Sequence, residues 1–144
     1  MKINFVCVGN LKEKFFEEAA GEYLKRLSRF CKAEVKELPE KNNPEEEAES
    51  VLRALKGKVI ALAVEGKKCS SEAFAKEIAE VTNRGEEITF VIGSSEGLSK
   101  RVKEQADELL SFSDMTFPHR LMRVILLEQV YRAFMINAGA KYHK

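Results

Sequence analysis

A chain of 144 residues with 24 basic and 23 acidic side chains is the size of one domain, residues 1–144. Its net charge of +1 excludes a bulk field for nucleic acid, so any RNA partner must be held by local patches. Cys7, Cys31 and Cys69 are scattered and odd in number, and the two histidines lack spaced acidic or thiolate companions. Reduced thiols in a cytoplasmic protein, and no metal, are the expectation.

Strand-like and helix-like runs alternate from end to end. Met1-Lys2 leads straight into an apolar strand at 3–8, so no export signal is expected. Residues 12–29 place Phe15, Phe16, Ala19, Ala20, Tyr23, Leu24 and Leu27 at helical spacing, and a short strand at 34–38 follows. Asn43, Pro44 and Glu46 supply the cap, the first-turn proline and the third-position glutamate of a helix running to about Leu55. The uninterrupted run Val59-Ile60-Ala61-Leu62-Ala63-Val64 predicts a strand buried on both faces and ending at Glu65-Gly66-Lys67. Ser70 or Ser71 caps a helix to about Val81. A strand at 87–92, a helix at about 99–108 and a short strand through Leu109 and Leu110 come next, before a long helix opened by Pro118.

That last helix contains the longest apolar tract, about 121–138. Arg123, Glu128, Gln129 and Arg132 interrupt it, which argues against a membrane span. Its apolar residues occupy most of the circumference, where a surface helix of a small monomer shows only a stripe, and this predicts a subunit interface. Glu128 and Arg132 stand four apart in the favourable order for an intrahelical ion pair; among so many apolar neighbours a buried or active-site role is also open.

The alternation predicts an α/β fold, a parallel-rich sheet with helices on both faces, in which ligands gather at the carboxyl ends of strands. Three such ends carry unusual sequence: Leu62 to Gly66, Gly93 to Gly97, and Ser111 to Pro118. The turn Gly93-Ser94-Ser95-Glu96-Gly97 lets backbone amides approach a ligand, but it matches neither common nucleotide fingerprint and reads equally well as an ordinary connection. Ser111 to Pro118 has no regular period; it reads either as a pocket wall, with Met115 and Phe117 packing and the hydroxyls polar, or as a plain connecting loop. Tyr142-His143-Lys144 is an aromatic, titratable and basic end that base rates assign to a frayed tail, and His119 reads as a helix-start residue.

Four segments together carry a resemblance that none carries alone. They are Phe90-Val91-Ile92-Gly93-Ser94-Ser95-Glu96-Gly97-Leu98, Leu109 through His119, Leu126-Leu127-Glu128-Gln129-Val130-Tyr131-Arg132-Ala133-Phe134, and Tyr142-His143-Lys144. Over essentially its whole length the chain resembles the RlmH (YbeA-like) family of bacterial large-subunit rRNA pseudouridine N3-methyltransferases, within the SPOUT class. The resemblance implies a C-terminal trefoil knot, an exception to the unknotted rule, in a homodimer whose knotted region supplies both cofactor pocket and dimer surface. It implies S-adenosylmethionine bound by Leu62, Gly93, Ser94 and Gly97 and by the loop Ser113, Asp114, Met115, Thr116, Phe117 and Pro118, with Ala63 a further neighbour. It also implies methylation of a pseudouridine of 23S rRNA (position 1915 in the family) within the large subunit of the assembled ribosome. His143 is then the candidate base, Tyr142 and Arg132 position the base and phosphate, and Glu128 orients Arg132. Three positions depart from the family pattern: Ser94 replaces the second glycine of the turn, Ala63 the usual aspartate, and Lys141 the proline before Tyr-His.

Two other readings stay open on sequence. One is a SPOUT enzyme acting on tRNA or another rRNA position, against which the short chain without an added RNA-binding domain argues. The other is a noncatalytic ribosome- or nucleotide-binding α/β module, with the glycine turn purely structural.

Overall fold

The computed structural model describes residues 1–143, so Lys144 of the C-terminal cluster lies outside the described residues. Strands and helices alternate as β1 (Lys2–Val8), α1 (Lys14–Leu27), β2 (Lys32–Leu38), α2 (Pro44–Arg53), β3 (Lys58–Lys67), α3 (Ser71–Asn83), β4 (Ile88–Ile92), α4 (Lys100–Gln105), β5 (Glu108–Leu110) and α5 (His119–Asn137). Every strand pairing is parallel, in the order β2-β1-β4-β3-β5. Parallel pairing forces a crossover between successive strands, and the helices that provide it cover both faces of the sheet.

The core accordingly has two halves. On one face α1, α3 and α5 pack together over Phe5, Phe90 and Ile60, with Ile78 of α3 buried against them; on the other, α2 and α4 cover Val6, Val8, Val59 and Val91. The central strands β1 and β4 are buried almost throughout, whereas the edge strand β2 alternates exposed charge with partly buried apolar residues. Short side-chain caps start three helices: Asn43 Oδ1 accepts from the Glu45 and Glu46 amides, Ser70 Oγ from Ala73 N–H, and Ser99 Oγ from Val102 N–H. Just ahead of α2, the Glu47 carboxylate accepts Lys41 N–H at 3.1 Å. Cys7, Cys31 and Cys69 are free thiols, and no helix among the described residues is long and apolar enough to cross a membrane.

One expectation changes. Val59, Ile60 and Ala61 are buried on both faces, but Leu62 and Ala63 are only partly buried and Val64 is 47% exposed. The pairing of β3 with β4 ends at Ala61; beyond it β3 pairs with β5 and arches between Leu62 and Lys67, where the register shifts. Leu110 is partnered by both Leu62 and Lys67, and Ser111 N–H donates to Lys67 O at 2.9 Å. A Cβ on Gly66 would sit 2.6 Å from the Leu109 carbonyl carbon, so only glycine lets the arch close this tightly on β5.

Helix α5 crosses α1 and α3, burying Leu126, Leu127, Val130, Ala133 and Phe134. Leu121, Met122, Ile125 and Met135 stay only half-buried within the single chain. The apolar cylinder foreseen from sequence is thus half used by the chain's own core.

Candidate active site

A cavity of about 670 Å³ opens where β3, β4 and β5 end, a volume in the range of small-molecule sites. Its deep wall is apolar, formed by Leu62, Ile92, Leu110 and Phe112. The β4–α4 turn supplies Gly93, Ser94 and Gly97. Gly97 N–H donates to Ser94 O at 2.8 Å, Glu96 N–H to Ser94 Oγ at 3.3 Å, and Gly97 takes φ +80°. The turn folds back so closely that a Cβ on Gly93 would meet the Gly97 carbonyl carbon at 2.7 Å.

The third wall is the β5–α5 loop, where Ser113, Met115, Thr116, Phe117 and Pro118 line the cavity. Ser111 Oγ donates to Ser113 O at 2.9 Å and Ser113 Oγ accepts Met115 N–H at 3.0 Å, so the serines shape the loop from within. Of the ten residues assigned to the cofactor from sequence, Asp114 alone does not line this cavity: its side chain is exposed and pairs with Lys68. A carboxylate beside an apolar wall is better solvated outward, against a lysine, than inward.

Several wall residues were not assigned to the cofactor from sequence. Glu65 and Lys103 face each other at the mouth, and Met122 and His119 come from the first turns of α5. His119 Nε2 is buried without a hydrogen-bond partner. Burial, assisted by the nearby Arg120 charge, pulls the His119 pKa below the ordinary histidine value and favours the neutral ring. Its place directly after Pro118, in a loop already suspected of lining a pocket, was the available signal.

The four residues proposed for catalysis form a second, separate network. Glu128 Oε2 accepts from Arg132 Nη2 at 2.7 Å and from the Tyr142 hydroxyl at 2.8 Å, and Oε1 accepts from Arg132 Nε at 3.3 Å. The Arg132 guanidinium also lies over the Tyr142 ring, 4.9 Å from its centroid. Arg132 Nη1 lies 3.1 Å from His143 Nδ1, and His143 Nε2 lies 3.1 Å from Glu72 Oε1 on α3. A guanidinium only donates, so Nδ1 is the accepting nitrogen and the proton of the neutral ring sits on Nε2, directed at Glu72. Burial, then the hydrogen bond to Glu128, pushes the Tyr142 phenol up to about 12. Glu128 in turn holds Arg132 above its ordinary range. The ion pair expected between Glu128 and Arg132 is therefore present, with the tail built onto it. None of Glu128, Arg132, Tyr142 or His143 lines the cavity of its own chain.

Residues 1–143 match a family model described as "Predicted SPOUT methyltransferase". Among solved structures, the chain superposes on a probable methylase family protein from Haemophilus influenzae with a TM-score of 0.64 at 12% identity, covering 99% of this chain and 70% of that one. It superposes on a "putative methyltransferase" of Legionella pneumophila, solved with S-adenosylmethionine bound, with a TM-score of 0.52 at 12% identity, covering 93% and 66%. The fold, with its cavity at the strand ends, is that of the SPOUT methyltransferases, and the chain belongs to that family.

Nearer relatives narrow the assignment within the class. The chain is 52% identical to the ribosomal RNA large subunit methyltransferase H of Levilactobacillus brevis and 48% identical to that of Streptococcus thermophilus, each match covering 100% of both chains. It is a member of the large subunit methyltransferase H group of SPOUT proteins.

Proposed function

We propose that this protein transfers the methyl group of S-adenosylmethionine to N3 of a pseudouridine in 23S rRNA, position 1915 in the family, acting as a cytoplasmic homodimer on the assembled large subunit. The observation that carries this reading is the cavity: apolar in depth, glycine-lined at one wall, charged at its mouth and built from the segments that carry the family resemblance. Those walls fit a nucleoside with a charged end. When bound, the donor supplies a methyl group already activated by its sulfonium.

The chain's own residues then have two tasks. The cavity holds the reacting carbon in line and keeps bulk water away, through Leu62, the Gly93 turn and the loop from Ser113 to Pro118. The imide proton must also leave N3 as the new bond forms, and His143 is the base in this reading. In the resting network Arg132 occupies His143 Nδ1, so the tail must release this contact before that nitrogen can accept a proton. Tyr142 and Arg132 then position the nucleotide, with Glu128 orienting Arg132.

Tyr142 and His143 do not border their own chain's cavity, and the half-buried outer side of α5 offers a surface to a second copy. We read the tail of one protomer as completing the cavity of its partner. The arch of β3 over β5 is read as the crossing of a trefoil knot.

The decisive experiment transfers labelled methyl from S-adenosylmethionine to ribosomes lacking the modification and maps the labelled nucleotide. Label on a large-subunit pseudouridine is expected. Label elsewhere would replace the substrate, and absence of donor binding would remove the catalytic reading altogether.

A further inference from the structure

Of the side chains lining the cavity, two carry full charge: Glu65 at the end of β3 and Lys103 on α4. They meet across the mouth, Lys103 Nζ donating to Glu65 Oε2 at 2.8 Å, and this contact holds the Glu65 carboxyl below its ordinary range. Glu65 is 58% exposed and Lys103 29% exposed, so the pair stays in contact with water. An ion pair so placed contributes little to the stability of a fold and exchanges its partners at small cost. No step of the methyl transfer described above uses it.

Behind the pair the cavity carries no charge until His119, whose environment favours the neutral ring. A ligand with one flat uncharged part and one charged part therefore has a single favourable orientation: the flat part against Leu62, Ile92, Leu110 and Phe112, the charges at the mouth. The charged part of S-adenosylmethionine remote from its sulfonium is an ammonium and a carboxylate on one carbon. A carboxylate and an ammonium already within hydrogen-bond reach of each other are the complement of that group.

Resting on the donor reading given above, we propose that Glu65 and Lys103 part on binding and take the amino-acid end of the donor, Glu65 accepting from its α-ammonium and Lys103 donating to its α-carboxylate. The pair closes on itself when the cavity is empty, so neither charge is left unpaired in either state. It selects for ligands that carry the amino-acid end and is indifferent to the methyl group, so donor and demethylated product are held alike.

The test is calorimetric binding of two probes to the full chain: S-adenosylhomocysteine, which keeps the amino-acid end, and 5′-methylthioadenosine, which keeps the nucleoside and thioether but lacks it. Lys103→Met and Glu65→Gln should each weaken S-adenosylhomocysteine by about tenfold, the loss of one charge-assisted hydrogen bond, and leave methylthioadenosine unchanged. Lys103→Arg should restore most of the affinity, which separates lost charge from a disturbed fold. Equal losses for both probes would overturn the proposal; for Glu65 they would place its carboxylate on the ribose hydroxyls, which both probes share. Unchanged binding of both would overturn it as well. Wild-type protein that binds neither probe would instead sink the donor reading on which the proposal stands.

Discussion

The cavity and the tail network are two polar assemblies built on opposite plans. The cavity is made of backbone and small residues, with Gly93 folded against Gly97 and serines bonded within their own loop, so its walls are held in shape by short local contacts. In the tail network Glu128, Arg132, Tyr142, His143 and Glu72 spend their hydrogen bonds on one another. The first is pre-organised in its walls and changes only the Glu65–Lys103 contact at its mouth; the second must rearrange before it can act. A region whose walls are fixed by local bonds loses little freedom on taking a ligand, whereas a region that answers to substrate exchanges long-range partners before it acts.

Several experiments can break or sharpen that contrast. The largest effect is expected from His143→Ala, which should lower methyl transfer by about a hundredfold or more while S-adenosylmethionine binding by calorimetry stays near wild type. Loss of binding together with turnover would merge the two regions into one site. Gly93→Ala should do the reverse. Its Cβ would overlap the Gly97 backbone at 2.7 Å, so donor affinity should fall about tenfold to a hundredfold through the strain of opening the turn.

Mixing these two variants tests whether the regions meet between protomers. At donor concentrations that leave the Gly93→Ala cavity largely empty, dimers reassembled at random from equal amounts should recover up to about a quarter of wild-type activity, because half are mixed and each mixed dimer holds one intact pairing of cavity and tail. No recovery would place tail and cavity in the same chain. A subtler check is optical titration of the three tyrosines, Tyr23, Tyr131 and Tyr142. The raised Tyr142 pKa means that the folded state favours the neutral phenol. Its contribution to stability is complete below the unfolded value near 10 and is lost as pH rises through about 12. Tyr142 should therefore ionise late, and Glu128→Ala should bring it down. The smallest effect belongs to a position outside both regions: Gly21, within α1, where a Cβ would meet nothing within 4 Å. Gly21→Ala should stabilise the fold by about 0.5–1 kcal/mol and raise Tm by about 2–4 °C in a thermal melt, without moving donor affinity.

Much of this architecture was legible in the chain because its signals are local. Alternating apolar runs mark strands and helices, Asn43, Ser70 and Ser99 cap helices as short polar side chains do, and the residues after β3, β4 and β5 are unlike ordinary connections. The strand ends flagged from sequence all lie on one cavity, since parallel pairing brings carboxyl ends to the same side of a sheet. Less legible was anything that depends on which distant segments meet. The exposure of Val64 follows from where β4 stops pairing, and the outward turn of Asp114 from Lys68 standing outside the loop. Glu72 faces His143 across 71 positions of sequence, and Lys103 reaches Glu65 across 38.

By itself, then, the sequence determined the order and kind of the elements, the family, and the segments from which a site would be made. Those properties reside in periodicity, capping chemistry and short motifs that a residue and its near neighbours express alone. The tertiary structure decided which of those residues share a cavity, which point to solvent, and that the proposed catalytic residues rest apart from the cavity of their own chain. Desolvation and hydrogen-bond pairing fix those outcomes, and both depend on neighbours that only the folded chain brings together.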